Sequence, residues 1–99
     1  AVSPSRLSDL DLVKGRIIYG HLDDLRPCPP ELPNVNNDRV IPGEGALPLH
    51  EWYQKIESCG YTGWHAVELF CHDLWQRPAL EIAQRVKKGC QRVWPAAQF

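Results

Sequence analysis

Apolar positions along the chain change their period from segment to segment, and each change marks an element. Near the start, Leu7, Leu10 and Val13 recur every third residue, as at the end of an amphipathic helix over 3–13 that Gly15 stops. The segment 16–22, Arg-Ile-Ile-Tyr-Gly-His-Leu, is short and rich in β-branched and aromatic side chains, which predicts a strand with His21 at its end. Helical spacing returns at Leu49, Trp52, Tyr53 and Ile56, the stripe of a helix over 48–59 with one buried face and Gly60 at its C′ position. A second strand is predicted at 64–70, apolar except for His65 and Glu68. After a loop with Trp75 comes a last helix over 78–93, with Pro78 in its first turn and Ala79, Ile82, Ala83, Val86, Cys90 and Val93 along its stripe. The tail beyond it, 95–99, is expected to fray.

The segment 23–47 is dense in Pro, Asn, Asp and Gly. A connection of about 25 residues inside a compact domain is usually functional or disordered. The order helix end, strand, long loop, helix, strand, loop, helix is a β-α-β-α run, which predicts the α/β class with parallel strands. Two parallel strands do not complete a sheet. Either several chains assemble or other residues of the same protein supply the missing strands.

Composition narrows the setting. At 99 residues there is room for one domain or a piece of one. With 43% hydrophobic and 23% charged residues the chain reads as an ordinary soluble globular sequence. Eleven basic against twelve acidic residues leave a formal charge of −1, so nothing draws the chain to nucleic acid or anionic lipid. No apolar run reaches the roughly 18 to 20 residues of a membrane helix, and no signal-like start is present, so a cytoplasmic setting is expected. Cys28, Cys59, Cys71 and Cys90 lie far apart and are read as reduced thiols, with two disulfides as the alternative for an exported protein. Methionine is absent even at position 1, which raises the expectation of a fragment or a processed start.

Candidate chemistry lies at the carboxyl ends of the strands, where α/β folds bind ligands. The period of two puts Tyr19 and His21 on one face of their strand, and Ala66, Glu68 and Phe70 on one face of theirs. An imidazole converging with a carboxylate suits a divalent cation, Mn²⁺, Mg²⁺, Co²⁺ or Zn²⁺. Two ligands are too few, so the others must come from elsewhere or from bound substrate. Each residue also has a plainer reading: a hydrogen-bonded strand-end His21, an ion-paired Glu68, a solvated loop charge at Arg39. Gly43 and Gly45 do not form a nucleotide-binding fingerprint.

Taken together and in order, His21-Leu22-Asp23-Asp24, Asp38-Arg39-x-x-Pro42-Gly43-Glu44-Gly45, and Gly60-Tyr61-x-Gly63 leading to Val67-Glu68-Leu69-Phe70 resemble the xylose isomerase-like sugar phosphate isomerase/epimerase family. The resemblance runs from Arg16 to about Val93. It implies the C-terminal portion of a (β/α)8 TIM barrel, with the last two strands at 16–22 and 64–70 and their helices at 48–59 and 78–93. By the same resemblance His21 and Glu68 are metal ligands, Glu68 is also the catalytic acid or base, and Arg39 contacts substrate oxygens. Asp24 then supports the loop or the histidine from behind the ligands.

The implied reaction is proton transfer at a carbon next to a carbonyl of a sugar or sugar phosphate, as isomerase, epimerase or related dehydratase. The two earlier carboxylate ligands of the family have no counterpart before Arg16. The chain is therefore expected to act only when joined to the remainder of the barrel or completed in a homo-oligomer, and to be inactive alone. The alternative is a non-catalytic oligomerising or partner-binding α/β module derived from such a barrel.

Overall fold

Period-two and period-three-to-four segments fold here into strand ends backed by helices. The structure is a computed structural model that describes residues 6–27 and 37–99. The strands are β1 (Gly20–His21), β2 (Asp24–Leu25), β3 (Arg39–Val40) and β4 (His65–Ala66). The helices are α1 (Leu49–Ser58), α2 (His72–Trp75) and α3 (Ala79–Val93).

β1 and β4 pair in parallel, Gly20 opposite His65 and His21 opposite Ala66, and α1 is the helix of the connection between them. The Leu22 N–H extends the ladder to the Ala66 carbonyl at 2.8 Å. β2 and β3 pair antiparallel, Asp24 opposite Val40 and Leu25 opposite Arg39. This small ribbon carries part of the long 23–47 connection back over the end of β1.

Several elements differ from the sequence-based expectation. The opening segment is a 3-10 helix, Leu7–Val13, rather than the end of an α-helix, and it buries no side chain. Without an apolar face to bury, the longer i to i+4 form gains nothing from packing. The ladders are also short, two residues per strand, because each of these strands pairs on one side only among the described residues. α2, too short for a periodicity signal, stands where a plain loop was expected, and Pro78 caps α3 instead of lying in its first turn.

The core joins Leu22 behind β1 to Leu49 and Tyr53 of α1 and to Cys90 and Val93 of α3. Ile56, Val67, Val86 and Trp94 pack around it. Tyr53 stacks on Trp94 at 4.9 Å, and its hydroxyl donates to the His21 carbonyl at 3.2 Å. α1 thus reaches through to the functional end of β1. After Cys59, Gly60 turns away with φ of 81°, the left-handed region that favours glycine.

Cys59, Cys71 and Cys90 are buried free thiols, while Cys28 lies outside the described residues. Ile18 and Trp64, on the segments leading into β1 and β4, are 92% and 81% exposed. Among the described residues, no helix is long and apolar enough to cross a membrane.

Candidate metal centre

Alternation of side chains past β1 separates two neighbouring carboxylates. Asp23 follows His21 by two positions and turns to the same side, while Asp24 turns inward and is 1% exposed. The parallel register brings the end of β1 level with the residues after β4, so the Glu68 N–H donates to Asp23 Oδ1 at 2.9 Å. One ligand atom from each of His21, Asp23 and Glu68 falls within 4.8 Å of the others. His21 Nδ1 stands 3.6 Å from Glu68 Oε2, and both side chains are about half exposed.

Arg39 closes this group from β3. Its Nη1 donates to Glu68 Oε2 at 2.7 Å, to Asp23 Oδ2 at 3.0 Å and to the Glu68 carbonyl at 3.0 Å. The Phe70 ring lies under the guanidinium, 4.8 Å from its carbon to the ring centroid. Tyr19 meets the His21 ring edge-on at 5.2 Å. Burial, with smaller contributions from the charges of Asp23 and Cys90, pushes the Tyr53 phenol up, so it remains a neutral donor to the His21 carbonyl.

Asp24 performs a different task. Its Oδ2 accepts the N–H groups of Gly43 and Gly45, both at 2.9 Å, and its Oδ1 those of Leu25 at 2.9 Å and Leu47 at 3.1 Å. The carboxylate organises the 43–47 turn, and the same turn leads out of β3 with Arg39.

The donor set is one imidazole nitrogen and two carboxylates. Bonds of about 2.0 to 2.6 Å to a divalent ion leave ligand atoms up to about 4 to 5 Å apart, so the group matches such an ion in size and chemistry. The group is open to solvent on one side. Two concavities, of about 320 and 780 Å³, lie elsewhere, and neither is lined by His21, Asp23, Arg39 or Glu68.

No protein-family model matches the chain. It is 33% identical over 84 residues to inosose isomerase of Halalkalibacterium halodurans and 31% identical over 85 residues to inosose isomerase of Bacillus subtilis. Those alignments take in 84% and 85% of this chain, and 29% and 30% of the relatives. A solved structure of the IOLI protein with a binding zinc atom superposes with a TM-score of 0.80 at 30% identity, over 91% of this chain and 32% of that one. Over most of its own length the chain is similar to these xylose isomerase-like TIM-barrel proteins. Its β-α-β-α order matches part of their TIM barrel, and it spans about a third of the length of these relatives.

Within this chain the residues singled out from the sequence fall into two places. His21, Arg39 and Glu68 meet at one point, whereas Asp24 hydrogen-bonds the 43–47 turn and none of those three side chains. Asp23 was missed by sequence reasoning. The signal was present in the i, i+2 spacing from His21, which puts Asp23 on the face of the imidazole. His72 stays outside the group, its ring edge-on to Trp75 at 4.8 Å and its N–H donated to Asn37 Oδ1 at 3.2 Å.

Proposed function

We propose that this chain is the C-terminal part of a divalent-metal-dependent sugar or sugar-phosphate isomerase or epimerase, contributing the last two strands of the barrel with their helices. The observation that carries the proposal is the meeting of His21, Asp23 and Glu68 at the carboxyl ends of adjacent parallel strands. The names of the two relatives support the isomerase class, and the zinc in the solved relative supports a divalent ion, Mn²⁺, Mg²⁺, Co²⁺ or Zn²⁺.

In this reading His21 and Glu68 hold the ion, and at least two more ligands come from the remainder of the barrel or a second copy. When bound, the ion polarises the substrate's oxygens and so acidifies the carbon beside the carbonyl. Glu68, about half exposed beside the ligand face, takes or returns the proton at that carbon. Arg39 orients substrate oxygens with N–H groups that Phe70 and Asp23 hold in place. Asp24 keeps the turn behind Arg39 in register. A cytoplasmic setting agrees with thiols such as Cys59, Cys71 and Cys90.

The test is Mn²⁺ calorimetry with size-exclusion light scattering, on this chain and on the complete barrel. In the complete barrel, Glu68→Gln and His21→Ala each weaken Mn²⁺ binding, and His72→Ala leaves it unchanged. Equal affinity in all three would sink the ligand assignment. For this chain alone we expect negligible binding and activity; tight Glu68-dependent binding in an oligomer would instead mean that copies complete one another's site. Ile18 and Trp64 are the apolar side chains that such a copy, or the remaining strands, would cover.

A further inference from the structure

We infer that Arg39 is the resident counter-cation of the metal centre, so that its charge holds cation affinity down until an oxygen-rich ligand draws its N–H groups away. The inference rests on the proposed reading of His21 and Glu68 as ligands. Its basis is that one nitrogen, Arg39 Nη1, serves both carboxylates of the group, at 2.7 Å to Glu68 Oε2 and 3.0 Å to Asp23 Oδ2. The oxygen it holds most closely is the one that stands 3.6 Å from His21 Nδ1, where imidazole and carboxylate face each other.

A cation held by His21 and Glu68 would therefore compete with the guanidinium for the Glu68 carboxylate. At such separations two positive charges repel, and the repulsion is large where solvent only partly screens them. The Arg39 side chain is 31% exposed and its guanidinium is backed by Phe70, so it has a firm seat rather than a loose position in bulk water. Asp23 and Glu68 in turn need a positive charge beside them, because two negative carboxylates held on one nitrogen repel each other. Arg39 supplies that charge at all times.

A linkage follows. Substrate oxygens that accept from Arg39 remove its hold on Oε2 and so tighten cation binding; by reciprocity the bound cation tightens substrate binding by the same factor. Arg39 thereby couples loading of the two ligands without touching the cation.

The experiment is Mn²⁺ calorimetry on the intact protein carrying this chain, with Arg39→Gln and Arg39→Lys. Arg39→Gln should bind Mn²⁺ about tenfold more tightly than wild type, and Arg39→Lys, which keeps the charge, should stay within about threefold of it. Weaker binding in Arg39→Gln would overturn the inference and assign Arg39 the role of shaping the ligand cage, with the ligand reading intact. Absence of Mn²⁺ binding in wild type would instead overturn the ligand reading itself. Thermal unfolding of Arg39→Gln, Glu68→Gln and the double variant checks the pairing separately. The double variant should regain most of the midpoint lost in Arg39→Gln; strictly additive losses would remove the counter-charge role.

Discussion

A Cβ placed on Gly45 would lie 2.2 Å from Oδ1 of Asp24, so the turn wraps this carboxylate as closely as backbone atoms allow. Four N–H groups point at its two oxygens. Asp24→Ala leaves those donors without a partner in a buried place and should destabilise the fold by at least about 3 kcal/mol. Asp24→Asn, which keeps one acceptor oxygen, should cost about half as much. Gly45→Ala must displace either the carboxylate or the Leu25 carbonyl, 2.5 Å away, and should cost about 1 to 3 kcal/mol. Denaturant midpoints at constant slope measure all three.

His65 offers a pH test. Its two ring nitrogens are buried without a hydrogen-bond partner among the described residues, enclosed by Tyr53, Tyr61 and Trp94, whose rings all meet it edge-on. Burial lowers its pKa below the usual 6.5, so the unfolded chain binds this proton more readily than the folded one. Stability from this group is complete above about pH 6.5 and is lost as pH falls toward the lower folded value. The unfolding midpoint should therefore drop between about pH 7.5 and about pH 5.5, and His65→Phe should flatten that drop. The same slope in both proteins would assign the pH dependence to other groups.

Gly20→Ala should separate β1 from β4, because a Cβ there would come within 2.3 Å of His65 Nδ1. The expected loss is about 1 to 3 kcal/mol, with faster amide exchange at Leu22, whose N–H continues the ladder. Unchanged exchange at Leu22 would show that the His65 ring gives way instead.

Arg39→Ala in the complete enzyme should raise KM or lower kcat by about tenfold or more while Mn²⁺ still binds. Steady-state kinetics beside metal analysis decides this. Loss of the metal would contradict both roles given to Arg39.

How far the sequence could be read depends on which physical signal each residue leaves in it. α1 was legible because Leu49 and Tyr53 are spaced for one buried face and Gly60 closes the helix. Trp52, on the same stripe, is 38% exposed, since periodicity marks a direction and not a depth. The strands were legible as segments, but the length of their ladders depends on which neighbours stand alongside, and no residue type records that. His21 and Glu68 stood out as polar residues at apolar strand ends. The exchange between Asp23 and Asp24 shows the limit: chemically identical neighbours differ only in the face they take, and one step of alternation puts one beside His21 and Glu68 and the other in the turn.

Gly89 has a consequence for how the molecule opens. Its missing side chain lets α3 rest on the Pro42 carbonyl, where a Cβ would meet oxygen at 2.2 Å, and Arg85 reaches Glu44 at 2.9 Å along the same seam. The outer helix is thus the foundation of the turn that wraps Asp24 and follows Arg39. Hydrogen exchange should find the second half of α3 and the amides of Gly43, Gly45 and Leu47 opening as one cooperative unit, so that strain applied to the back of the protein is felt at the ligand face.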